Sequence, residues 1–211
     1  RYISVTGVQT CALPICRILS EKAGKKVKVG HTGTLDPFAT GLMILVVGKE
    51  TKNAMRLTKL DKVYEATVEL GQTSSTGDTE GELEAVSDRR PSREEIENTL
   101  GSFVGEITQT PPMFSAIKVN GVRAYKLAHK GEAVEIPTRQ VTVYSLELIE
   151  YDYPQLKIRA HVSSGTYIRT LAQDIGTALG TGAYCRELRR TKIADYALEQ
   201  ATTLEALGIT S

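Results

Sequence analysis

Asp36 is the one carboxylate in Gly30-His-Thr-Gly-Thr-Leu-Asp-Pro-Phe-Ala-Thr-Gly41, a stretch holding three glycines and a proline in twelve residues. Glycines leave backbone positions open to close approach by a ligand, and Pro37 holds the residue before it extended. A loop leading into an apolar strand is also where functional side chains tend to be carried. On loop chemistry alone, however, the commoner role for Asp before Pro is to form an Asx turn. Ser163-Ser-Gly-Thr-Tyr-Ile-Arg169 offers a chemical alternative, because it places Tyr167 and Arg169 in the first turn of a helix. An arginine there could pair with a carboxylate such as Asp36, holding it ionised and oriented. The plainer possibility is a surface arginine beside a packed tyrosine.

Other chemistries fail on spacing. Gly48-Lys49 has the ending of a phosphate-binding loop, but Met43 stands where its first glycine belongs and Glu50 replaces the magnesium-holding Ser/Thr. No Gly-x-Gly-x-x-Gly follows a strand. Cys11, Cys16 and Cys185 are odd in number and form no Cys-x-x-Cys pair, and His31, His129 and His161 are scattered. This argues for a reducing, cytoplasmic setting with no disulfide framework and no metal.

The elements that must position these residues are short and mixed. Leu42–Val47 reads as a buried strand. Val63–Leu70 alternates, with Tyr64, Ala66, Val68 and Leu70 on one face. The stretch from Gly71 to Gly81 is a polar loop. Ser92-Arg-Glu-Glu95 is a capping box, followed by Ile96, Leu100 and Phe103 at helical spacing. Val141–Ile149 and Leu156–Val162 read as strands paired around a turn at Asp152–Gln155. Ile168, Leu171, Ala172, Ile175 and Leu179 then lay an apolar stripe along a helix that stops at Gly180. Irregular mixing of strands and helices, without repeats, favours an α+β fold or a mixed sheet over a doubly wound fold.

At 211 residues, with 41% hydrophobic and 24% charged residues, the chain has the composition of a globular domain able to build its own core. Its longest apolar run, Leu42–Val47, falls far short of a bilayer-spanning helix, so no membrane role is expected. Net charge is only +1, yet it is segregated: +6 over residues 17–62, −8 over 63–110 and +3 over 149–192. Such runs can be ordinary solvated surface, or they can build the basic face of a polyanion binder.

Residues 1–16 are expected to be foreign to the domain. The first methionine is Met43, and the opening segment lacks the apolar core and cleavage site of a signal peptide. It resembles translated adapter sequence joined to a truncated gene; an atypical N-terminal strand is the alternative. The domain proper is then 17–211.

Gly30 to Leu42, taken whole, resembles the catalytic motif of the TruB family of pseudouridine synthases, which convert uridine to pseudouridine in the T-loop of tRNA, at position 55. Lys62-Val-Tyr-Glu-Ala-Thr-Val-Glu-Leu-Gly71, Gln109-Thr-Pro-Pro-Met-Phe-Ser-Ala-Ile-Lys118, Ser164-Gly-Thr-Tyr-Ile-Arg169 and Leu188-Arg-Arg-Thr191 resemble later family motifs, in the same order. The likeness runs over about residues 17–208, and an ordered set of motifs is far more specific than any one of them.

The resemblance implies a pseudouridine synthase fold, a mixed, mainly antiparallel central sheet flanked by helices. It implies that Asp36 is the nucleophile that detaches uracil from its ribose and that Tyr64 stacks on the flipped-out base. It places Tyr167 and Leu188 at the uracil pocket, His31 at the T-loop, Arg169 beside the catalytic carboxylate and Lys52 at a phosphate. The expected partner is the tRNA T-arm, bound by a monomer, with no cofactor and no metal. Family members begin with Lys-Pro-x-Gly-x-Thr-Ser and commonly continue into a C-terminal RNA-binding domain; both are expected to be missing. A non-catalytic tRNA-binding or tRNA-folding module is the rival expectation.

Overall fold

A computed structural model of the chain describes residues 2–6, 12–115, 118–119, 122–123, 136–203 and 206. Cys11, His129 and parts of the 109–118 and 202–207 stretches lie outside the described residues. The chain divides into two compact units, Arg1–Glu65 with Leu188–Ser211, and Ala66–Glu187.

In chain order the first unit contributes β1 (Tyr2–Thr6), α1 (Ala12–Ala23), β2 (Val29–His31) and β3 (Thr40–Val47). A 3-10 turn at Gly48–Asn53 leads into a short helix, α2 (Ala54–Thr58). β4 (Lys62–Leu70) then crosses into the second unit, which adds β5 (Gln72–Ser74), β6 (Leu83–Ala85), α3 (Arg93–Ser102) and β7 (Gly105–Gln109). After β8 (Lys118–Val119) and β9 (Val122–Arg123) come the long strands β10 (Arg139–Asp152) and β11 (Gln155–Val162), and α4 (Ile168–Ala178). β12 (Ala183–Ile193) runs back into the first unit, where β13 (Tyr196–Ala197) folds against it.

The first unit is built around β3. Its six residues Gly41–Val46 are all buried, as expected for a strand covered on both faces. Leu42, Ile44 and Val46 point to one side and join Leu57 and Ile193 in a core that Ala54, Leu60, Tyr196 and Leu198 extend. Each such side chain contributes about 1.5–3 kcal/mol when fully buried. β1 and β2 pair antiparallel to β3, while β12 runs parallel to it through Arg189 opposite Thr40, which makes the sheet mixed. Residues Tyr2–Thr6, expected to be foreign to the domain, form a strand along β3.

In the second unit the order is β12-β4-β11-β10-β7, and β10 pairs antiparallel with both β11 and β7. The inward faces of β10 and β11 supply Val141, Val143, Leu146, Leu156, Ile158 and Val162, all buried. Helix α3 begins with the expected capping box: the Ser92 hydroxyl accepts from the Glu95 amide, and the Glu95 carboxylate accepts from the Ser92 amide. Gly176, on α4, lies where a Cβ would come within 2.4 Å of the main-chain nitrogen of Ala183, so the helix is held hard against the start of β12.

Much of the acidic run is used internally in this unit. Glu69 pairs with Arg186, Asp78 with Arg169, Glu95 with Arg89 and Glu97 with Arg93. The structure is therefore α+β, with a mixed, mainly antiparallel sheet and helices beside it. Among the described residues no helix is long and apolar enough to cross a membrane, and none of their His, Cys, Asp and Glu side chains cluster so as to hold a metal ion.

Candidate active site

The Asp36 loop hangs between β2 and β3, and backbone contacts fix both of its ends. At its start the Thr32 amide donates to the Ile44 carbonyl at 3.1 Å. Asp36-Pro-Phe-Ala39 closes a turn through the Ala39 amide, which donates to the Asp36 carbonyl at 3.0 Å. Pro37 suits the second position of such a turn because its φ is already set. At the loop's end Gly41 has φ +105, and a Cβ there would sit 2.2 Å from the Arg190 carbonyl oxygen. Only glycine meets both demands. Asp36 itself is half-buried on this loop.

Beneath the loop are two cations that the sequence reading had not assigned a role. Arg190 is 1% exposed; its Nε donates to the Leu42 carbonyl at 2.7 Å and its Nη2 to the Gly33 carbonyl at 3.1 Å. Lys62, also buried, donates from Nζ to the Thr58 carbonyl at 2.9 Å and to the Leu60 carbonyl, capping the end of α2. Burial, and after it the positive charge of Arg190, lower the Lys62 ammonium from 10.5 to about 8, while Asp61 opposes the shift. Tyr64 and Leu188 sit two residues from these cations, on β4 and β12. Because side chains repeat every second residue along a strand, each shares a face with its buried cation. Both are buried. His31 ends β2 with its side chain exposed, and Lys52 is exposed on the 3-10 turn.

Tyr167 and Arg169 are brought together in the second unit at the start of α4. Gln109, 1% exposed, behaves like a strand partner for Tyr167. Its Oε1 accepts from the Tyr167 amide at 3.0 Å and its Nε2 donates to the Tyr167 carbonyl at 3.2 Å. The Arg139 guanidinium covers the Tyr167 ring at 5.6 Å from its centroid, a cation–π contact.

Arg169 is not a surface arginine: it is 3% exposed and its fork is filled. Nη1 donates to Asp78 Oδ2 and to the Thr76 carbonyl, each at 3.0 Å, and Nη2 donates to the Phe114 carbonyl at 2.9 Å. Asp78 is held in turn by the Thr76 hydroxyl at 2.6 Å and the Glu80 amide at 3.0 Å. The polar stretch expected to be loop from Gly71 to Gly81 is thus a folded cradle for an ion pair, opened by the short strand β5. Sequence reasoning missed Asp78, Gln109, Lys62 and Arg190. Gln109, Lys62 and Arg190 lie within the motifs that carry the family resemblance, so a signal for them existed; Asp78 had none.

The first unit thus holds a glycine-bounded carboxylate loop on a mixed sheet, and the second a buried arginine fixed at a helix start. Comparison with known proteins makes the class specific. Residues 18–168 match the family model of the TruB family pseudouridylate synthase N-terminal domain, and residues 169–209 match that of the tRNA pseudouridylate synthase B C-terminal domain. The chain belongs to the TruB pseudouridine synthase family.

Relatives named tRNA pseudouridine synthase B include one from Pseudomonas putida, 49% identical over 180 residues, covering 85% of this chain and 59% of the relative. Another, from Parabacteroides distasonis, is 48% identical over 184 residues, covering 87% of this chain and 78% of the relative. The chain thus spans somewhat under two thirds of the Pseudomonas protein's length. Among solved structures, a Cbf5-Nop10-Gar1 complex superposes with a TM-score of 0.71 at 27% identity, covering 96% of this chain and 51% of that one. The fold is that of pseudouridine synthases.

Proposed function

We propose that this chain converts uridine to pseudouridine in the T-loop of tRNA, at position 55, with Asp36 as the nucleophile. The observation that carries the reading is the placement of Asp36, the one carboxylate of a loop locked at both ends, in a chain of this family. The Asp36 carboxylate attacks, the bond between ribose C1′ and uracil N1 breaks, and covalent attachment divides a hard substitution into easier steps. Uracil turns, C5 bonds to C1′, the carboxylate is released, C5 gives up its proton and N1 gains one. Atoms and electrons balance without a redox partner or group donor, so the reading needs no cofactor.

The remaining roles are those that the family resemblance implies. Tyr64 offers a ring on which a flipped-out base can stack, a contact worth about 1–3 kcal/mol per base. Leu188 and Tyr167 serve uracil binding and Arg169 has a supporting role, as the resemblance implies. His31 contacts the T-loop and Lys52 a phosphate, both side chains being exposed. The protein acts as a monomer in the cytoplasm, on the T-arm.

Carbodiimide labelling and primer extension across a tRNA incubated with the protein tests the substrate assignment. One new stop in the T-loop is expected, absent when Asp36→Asn is used. Stops elsewhere in the tRNA, or none, would overturn the T-loop assignment.

A further inference from the structure

We propose that Arg190 is a positioning residue for the reaction, clamping the two ends of the loop that carries Asp36. The proposal rests on the reading of Asp36 as nucleophile. Its guanidinium donates to the carbonyl of Gly33, three residues before Asp36, and to that of Leu42, six residues after it. The two bonds come from different nitrogens of one planar group, so the span between the two carbonyls is set by covalent geometry rather than by flexible side chains. The main chain of residue 190 adds a third restraint, since it lies so close to Gly41 that no Cβ fits between them.

Packing alone does not explain the residue. Arg190 is 1% exposed, among the largest fully buried side chains of the molecule. A second buried cation, Lys62, is near enough for the Arg190 charge to bear on it, with its Cε 4.0 Å from where a Gly33 Cβ would stand. Two like charges buried together destabilise a fold, and apolar residues of similar volume would fill the space at lower cost. What an apolar residue cannot do is donate to two carbonyls on opposite ends of one loop. Rigid placement of a reacting group is the use to which such a clamp is suited, because a displacement of about 1 Å costs roughly a hundredfold in rate.

The test compares the wild type with Arg190→Lys, Arg190→Met and Asp36→Asn, measuring single-turnover rate on tRNA, tRNA affinity and Tm. Arg190→Met is expected to bind tRNA with unchanged affinity while its single-turnover rate falls about a hundredfold. Arg190→Lys, which keeps the charge and one donor direction, recovers part of that loss. If Arg190→Met does not fold, Arg190→Lys decides alone: a wild-type rate in it overturns the clamp. Rate, affinity and Tm falling in step would make the residue merely structural and also overturn it. An Arg190 variant at full rate beside an inactive Asp36→Asn removes the clamp and leaves the nucleophile standing. An active Asp36→Asn removes the nucleophile, whatever the Arg190 variants do.

Discussion

Asp78 and Arg169 meet at 3.0 Å with only 3% of either side chain exposed, although 91 residues separate them in the chain. The carboxylate is braced by the Thr76 hydroxyl and the Glu80 amide, and the guanidinium by two carbonyls, so each member of the pair has hydrogen bonds beyond the other. Removing one partner of such a pair strands a buried charge, at a cost of about 3–5 kcal/mol. Asp78→Asn is expected to lower unfolding stability by roughly 3 kcal/mol in urea and to lower turnover by freeing the guanidinium. Equal stability in the variant would show that Arg169 finds its orientation elsewhere.

Gly41 supports a second prediction with an internal control. Its φ of +105, and an Arg190 carbonyl oxygen that would stand 2.2 Å from any Cβ, leave no room for alanine. Gly41→Ala should cost at least about 2 kcal/mol, the range of strained or overpacked sites, and reduce turnover by displacing the loop. Gly101 sits in α3 with nothing within 4 Å of a Cβ, so Gly101→Ala should raise stability by roughly 0.5–1 kcal/mol. Thermal melts of the two variants should move in opposite directions.

Lys62 makes stability depend on alkaline pH. Its ammonium titrates at about 8 in the folded chain against 10.5 as the ordinary value. Below pH 8 both states hold the proton and the folded state carries the full burial cost. Between about 8 and 10.5 the unfolded state binds more protons, so unfolding free energy rises with pH from this group. One pKa unit is about 1.4 kcal/mol, which bounds the gain at roughly 3 kcal/mol. Lys62→Met should abolish this rise, and denaturation curves for both proteins from pH 7 to 10 measure it. A wild type and variant that keep a constant difference across that range would contradict the depressed ammonium.

What could be read from the sequence were the features written in neighbouring residues. The Ser92 capping box, the apolar stripe of α4 with its stop at Gly180, and the buried strand after Asp36 all depend on spacings of a few residues, and each is present. The Asp36 loop was legible because glycine and proline declare their backbone demands locally. Asp78 was not, since an aspartate in a Ser/Thr/Gly-rich stretch looks like turn material until its partner 91 residues away is placed. Arg190 was hidden for a related reason: its acceptor at Leu42 is 148 residues distant. A buried arginine on β12 also breaks the apolar alternation by which strands are recognised. The short helix α2 escaped notice because four of its five residues, all but Leu57, are at least partly exposed, leaving it without an apolar stripe.

The most direct measurement is tritium release from tRNA carrying [5-³H]uridine, run with the wild-type chain beside Asp36→Asn. C5 of uracil must surrender its hydrogen when it bonds to C1′, so release reports the isomerisation itself. Release by the wild type and none by Asp36→Asn is the predicted result. Release that persists in Asp36→Asn would contradict the nucleophile, and silence from both proteins on a tRNA that they bind would make this chain a binding module.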